Sequence, residues 1–177
     1  EKVADKANIA GVVAGAQSEV VIGMLDMNQM LILDTLQTGP DGSFNYELEV
    51  KKGNPEFVYV YSDGRKVTSL LLDAGDKVSF TVDADGNSVI EGSEESVKLM
   101  QVEKEHVEMS AVFAELSASL ESASESQDSA IARKMTEVYR KYNRSSVKYV
   151  MENSHSLTVI PVMYRRLGDN LPLFNEV

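Results

Sequence analysis

The stretch Ser69-Leu-Leu-Leu-Asp-Ala-Gly-Asp-Lys-Val-Ser-Phe-Thr-Val-Asp-Ala-Asp-Gly-Asn-Ser-Val-Ile-Glu-Gly-Ser-Glu-Glu-Ser96 divides the chain into two architectures. Upstream, apolar residues recur with the two-residue period of strands; downstream they follow the 3.6-residue period of helices. Inside the stretch, Val78, Phe80 and Val82 alternate with Ser79, Thr81 and Asp83, which gives one apolar and one wet face. A last short strand around Ser88 to Ile90 ends at Gly92, and Ser93 is placed as a helix N-cap. Glu94 and Glu95 follow in the first turn, where the helix dipole favours negative charge. The join therefore falls at Gly92, with strands in residues 1–92 and helices in residues 93–177, the helical segment packed on the strands or leading to a further domain.

Outward toward the N-terminus, Asn8 to Gly15 and Glu19 to Leu25 are rich in Val and Ile. Gln29 to Leu36 is a nearly continuous apolar run, as expected of strands covered on at least one face. Gly39-Pro40-Asp41-Gly42 is a turn, and Phe44, Tyr46, Leu48 and Val50 alternate with polar residues after it. Gly53-Asn54-Pro55 marks the next turn, and Asp63-Gly64 between Phe57–Tyr61 and Lys66–Leu72 is a two-residue hairpin signal. About eight strands at roughly ten-residue spacing, with no helix long enough for parallel crossovers, predict an antiparallel β-sandwich within an α+β chain.

Outward toward the C-terminus, two long helices and one shorter helix are expected. The first carries two apolar stripes, one of Val102, Met109, Phe113, Leu116 and Leu120, the other of Val97, Met100, Val107, Ala111, Ala114 and Ala118, so it should be covered from two directions. Glu121 to Asp128 reads as a polar break. A second helix over about Ser129 to Glu152 groups Ile131, Met135, Val138, Tyr142 and Tyr149 in one arc, with Arg133, Lys134, Arg140, Lys141, Arg144 and Lys148 opposite. Residues 93–128 hold nine acids and two bases, residues 129–166 two acids and eight bases, so antiparallel packing should be electrostatically complementary. The third helix is expected from about Leu157 to Leu167, before a Pro-containing end.

Composition narrows the function classes. A formal charge of -11 across 177 residues disfavours nucleic acid as a partner, since counterion release needs a clustered basic surface. The absence of cysteine removes disulfides, thiolate metal sites and thiol chemistry from this polypeptide. Apolar runs such as Met30 to Leu33 are too short to span a bilayer. The opening Glu1-Lys2-Val3-Ala4-Asp5-Lys6 has neither an initiator Met nor an apolar signal core, so a mature or trimmed start is expected.

Each chemical candidate competes with a structural reading. The basic helix face with Tyr139, Tyr142 and Tyr149 carries what phosphates and bases require, but a solvated face flanked by the acidic helix explains it too. Asp83, Asp85, Asn87 and Glu94 approach a calcium-loop spacing, yet Ser88 stands where such a loop needs Gly, and Asp85-Gly86 also reads as a turn. His106 borders the apolar stripe and His155 sits in a break, far apart and without acid ligands on a shared face. No Gly-x-Ser-x-Gly elbow or phosphate-cradling glycine loop occurs. The chain is thus read as a non-enzyme to which no catalytic, cofactor-binding or metal-binding residue is assigned.

Several pieces in order resemble a known family. They are Ile9-Ala-Gly-Val-Val-Ala-Gly15, Pro40-Asp-Gly-Ser-Phe-Asn-Tyr46, Leu70-Leu-Leu-Asp-Ala-Gly-Asp-Lys-Val78, Val89-Ile-Glu-Gly-Ser-Glu-Glu-Ser96 and Glu152-Asn-Ser-His-Ser-Leu157. Their arrangement resembles the domain of unknown function that precedes a thioredoxin-like domain, of the thiol-disulfide interchange or peroxiredoxin-related type, in bacterial envelope proteins and lipoproteins. The resemblance implies a periplasmic or envelope location, secreted or lipid-anchored, with any membrane attachment through an upstream anchor. It implies a non-catalytic accessory or interaction domain whose partner is a C-terminal thioredoxin-like domain of the same polypeptide. The Cys-x-x-Cys pair of such domains has no counterpart here, so no catalytic residue carries over, and Leu171-Pro-Leu-Phe-Asn175 is expected to approach a domain junction. Homo-oligomers through the helices are a further expectation. The alternative is a stand-alone glycan- or peptide-binding sandwich, for which Phe57, Tyr59 and Tyr61 would form the platform.

Overall fold

The computed structural model of the chain describes residues 6–15, 19–26 and 29–166. The expectations for the N-terminal start, for the helix end at Leu167 and for the segment Leu171 to Asn175 lie outside the described residues. The chain is α+β: eight strands in two four-stranded sheets are followed by three helices. The strands are β1 (Lys6–Val13), β2 (Glu19–Asp26), β3 (Gln29–Gln37), β4 (Ser43–Glu49), β5 (Glu56–Ser62), β6 (Arg65–Leu72), β7 (Lys77–Val82) and β8 (Ser88–Glu91). The helices are α1 (Glu94–Glu121), α2 (Glu125–Glu152) and α3 (Val159–Arg166).

The first sheet runs in the order β4-β1-β7-β8 and the second β3-β2-β5-β6. Their facing residues share one core, with Ile9, Phe44, Val78 and Phe80 from the first and Val20, Ile22, Val58, Val60 and Leu70 from the second. The expectation of purely antiparallel pairing is corrected at one place: β1 and β7 run parallel. β7 arrives only after the chain has crossed to the second sheet and back, so no hairpin fixes its direction. Core burial sets the register instead, aligning Ile9 with Val78 and Val13 with Val82. Between these pairs, Gly11 lies opposite both Phe44 and Phe80, whose rings meet edge-on at 5.8 Å. A Cβ on Gly11 would lie 2.5 Å from the Phe44 ring and 2.7 Å from that of Phe80.

In the second sheet, Asp63 and Gly64 both take positive φ, 51° and 71°, as a tight hairpin turn between β5 and β6 requires. β3 is an edge strand, shifted in register against β2 by a bulge; Leu33 and Leu36 pack against the core, as expected of a strand covered on one face, while Met30, Leu31 and Ile32 are exposed.

Short carboxylate side chains and glycines tie the corners between the strands. Asp41 Oδ1 accepts hydrogen bonds from the Ser43 amide and hydroxyl, tying the turn into β4. Asp73 accepts from the Gly53 and Ala74 amides, and Asp76 accepts from the Asp73 amide, so the β6–β7 corner also anchors the β4–β5 loop. Gly92 has φ of 88°, and a Cβ there would lie 2.0 Å from the Lys77 carbonyl oxygen, which leaves glycine as the residue that fits the join.

Just past that join, Ser93 caps α1, its Oγ accepting from the Ser96 amide while donating to the Leu71 carbonyl. The buried Ser96 hydroxyl accepts from the Leu71 amide and donates to the Leu71 carbonyl, both at 3.0 Å. One hydroxyl thus satisfies both backbone groups of a residue on the edge strand β6. Val97 and Met100 pack against the strand core, and the compact units divide after Met100, inside α1, because its first turns belong with the strands.

In the second unit, from Gln101, α1 and α2 form an antiparallel hairpin joined by His106 Nδ1 to the Tyr142 hydroxyl at 3.1 Å and by an edge-on Phe113–Tyr139 contact at 6.4 Å. α2 begins at Glu125, four residues before the expected start at Ser129. The Ser124 amide donates to Gln127 Oε1, so the serine-rich segment that reads as a break contains a capping box. The long helices pack antiparallel, as expected, and Arg165 of α3 pairs with Glu103 of α1 at 3.6 Å. The bases of α2 lie on the side away from its half-buried arc of Ile131, Met135, Val138, Tyr142 and Tyr149. α3 tolerates Pro161 because it stands in the first turn, where the absent amide has no acceptor to lose.

Candidate functional site

Alternation along β5 puts Val58 and Val60 in the core and leaves Phe57, Tyr59 and Tyr61 half-buried on the outer face of the second sheet. Strand pairing extends that face sideways. Tyr59 lies opposite Ser69 on β6 and Gly23 on β2, Gly23 lies opposite Ile32 on β3, and Leu25 lies opposite Met30. Gly23 makes room for its neighbour, since a Cβ there would lie 2.8 Å from Met30 Sδ. Lys66 Nζ stands 5.5 Å from the Tyr59 ring centroid, a cation–π contact at one end of the face. Burial falls across the sheet: Ser69 and Leu71 on β6 are almost fully covered, whereas Ile32 on β3 is 66% exposed.

The face is apolar and aromatic, suited to bury a protein surface or to stack a planar ligand. Sequence reading finds its β5 aromatics through their alternation but misses Gly23, Met30 and Ile32. Their signal was present in Gln29 to Leu36, a strand apolar at successive positions and hence on both faces.

The outer face of the first sheet is its opposite, with exposed Asn8 and Ala10 on β1, Asn45 and Glu47 on β4, and Ser79 and Thr81 on β7 lining shallow grooves. At its β7–β8 end, Asp83 Oδ1 accepts from the Asp85 and Asn87 amides and Oδ2 from the Asn87 side-chain amide. These bonds, led by that of the Asn87 side chain, hold the Asp83 carboxyl below its ordinary range. Glu94 turns instead to Lys98 at 3.1 Å. The Asp83, Asp85 and Asn87 oxygens thus organise a turn without Glu94, and among the described residues no group of three or more His, Cys, Asp or Glu is placed to hold a metal.

His106 is half-buried against Tyr142, and His155 is exposed, so the two histidines are not brought together. Tyr149 Oη meets Thr158 Oγ1 at 2.7 Å, and Thr158 Oγ1 in turn meets Ser156 Oγ at 2.7 Å, a buried hydroxyl relay that locks the α2–α3 turn. Arg133, Lys134, Arg140, Lys141, Arg144 and Lys148 are all exposed.

No protein-family model matches the chain, and no curated protein matches it. Among the described residues no helix is long and apolar enough to cross a membrane.

Proposed function

We propose that this chain is a non-catalytic accessory domain of β-sandwich type, which docks a thioredoxin-like domain of the same bacterial envelope polypeptide. The observation that supports docking is the second sheet, apolar on both faces, whose outer side runs from covered Leu71 to exposed Ile32. The thioredoxin-like partner and the envelope location rest on the order of the family-like pieces quoted above. The exposed α1 stripe of Val107, Ala111, Ala114 and Ala118 adds a surface through which copies could associate.

The test is the intact mass and peptide map of the natural polypeptide from its source cells, followed by Ile32→Lys in that protein. A Cys-x-x-Cys peptide downstream, together with independent motion of the two domains in the Ile32→Lys variant, supports docking. A polypeptide without such a domain rejects it. The second reading, a ligand-binding module, is favoured by the Lys66–Tyr59 contact on an outward aromatic row. Glycan or peptide binding lost in Tyr59→Ala but kept in Ile32→Lys would select it.

A further inference from the structure

The basic face of α2 has no task in the docking proposal. Its cations form two rows at heptad spacing, Lys134, Lys141 and Lys148 in one and Arg133 and Arg140 with the neighbouring Arg144 in the other, all exposed. From residue 133 to residue 148 the helix rises about 22 Å. Among the described residues, the carboxylate paired with this set is Glu152, 3.8 Å from Lys148 with both side chains exposed. The segment 129–166 carries a formal +6 in a chain of -11, so everything outside it sums to -17. At the C-terminal end of the Arg row, one helical turn apart, stand two exposed apolar side chains, Val147 and Met151, the latter 75% exposed.

We propose that this face of α2 is a peripheral membrane-binding surface that lies along an anionic lipid bilayer. A long exposed row of cations, paired among the described residues at Lys148 and interrupted by the single carboxylate of Glu137, suits the laterally averaged charge of headgroup phosphates. Val147 and Met151 supply the apolar contact that interfacial helices add to electrostatic attraction. Outside residues 129–166 the chain sums to -17, so attraction to the bilayer is confined to this segment. A second copy is a poor occupant. The apolar arc and the basic face of α2 lie on opposite sides, so joining that face to an acidic α1 would build an open row of chains that each carry -11.

The test is co-sedimentation of the 177-residue chain with vesicles of mixed phosphatidylglycerol and phosphatidylcholine, against pure phosphatidylcholine, at low and high salt. Binding is expected with the anionic vesicles alone and is lost at high salt. At roughly fivefold per cation, Arg140→Glu with Arg144→Glu should weaken it by at least about 25-fold. Met151→Ser should weaken it several-fold, and Lys51→Glu with Lys52→Glu, remote in sequence, should leave it unchanged, with helix content checked by circular dichroism. Failure to bind anionic vesicles overturns the proposal, also if the chain binds polyglutamate instead. An equal loss from the Lys51 and Lys52 reversals overturns it as well, because total charge rather than this face would then be responsible.

Discussion

Gly11 and Gly23 occupy matching places, each in a strand paired on both sides, with larger side chains closing over the bare backbone. Over Gly11 the neighbours are two Phe rings locked in the shared core; over Gly23 the neighbour is the far end of Met30, on a face open to solvent. The same residue type therefore does opposite work. Inside, glycine is a packing requirement that leaves no slack; outside, it lets a flexible thioether lie flat against a sheet. The core face of this molecule is fixed by shape, while the outer face of the second sheet keeps room to adapt.

Substitution at these positions should separate the two situations. Gly11→Ala should cost about 3 kcal/mol in chemical denaturation, because the rings at 2.5 Å and 2.7 Å have nowhere to retreat. A cost under about 0.5 kcal/mol would break the comparison by showing the core to be as yielding as the outside. Ser96→Ala, at the covered end of the second sheet, should cost about 2 kcal/mol by stranding the Leu71 amide, while the Leu71 carbonyl keeps the Ser93 hydroxyl. Gly23→Ala should be neutral or stabilise by up to about 0.5 kcal/mol, since Met30 can swing away and alanine loses less backbone entropy on folding. A penalty as large as that of Gly11→Ala would mean that Met30 is held rigidly.

The smallest effect is expected at Asp83, on the polar sheet. Its folded carboxyl titrates below its ordinary value, so its contribution is present above roughly pH 4 and is lost as pH falls through the lowered folded value. Asp83→Ala should therefore flatten the acid limb of the stability curve slightly, its cost shrinking as pH falls below the ordinary carboxylate range. A cost that does not shrink with falling pH would show that Asp83 acts through something other than its charge.

Much of the fold was legible because it is local. Alternation located the strands, Asp63-Gly64 announced its hairpin, and Ser93 was recognisable as a cap from its neighbours alone. Part of what was not legible depends on partners distant in sequence: nothing around Val78 says that it will lie parallel to Ile9. The Ser124 capping box is local, a Ser-x-x-Gln pattern ending at Gln127, but Ser122-x-x-Glu125 fits the same pattern and hides it. The candidate face was half legible. A row of aromatics on β5 shows in its period, whereas the exposure of Ile32 depends on β3 being the last strand of its sheet, a property of topology.

Ser96 carries one more consequence. By occupying both main-chain groups of Leu71, it closes that side of the second sheet to incoming strands, leaving β3 as that sheet's other border among the described residues. A sheet that can be extended on one side only cannot propagate. Two copies meeting border to border through β3 would leave the joined sheet no free border among these residues, so strand addition through this sheet would stop at a pair.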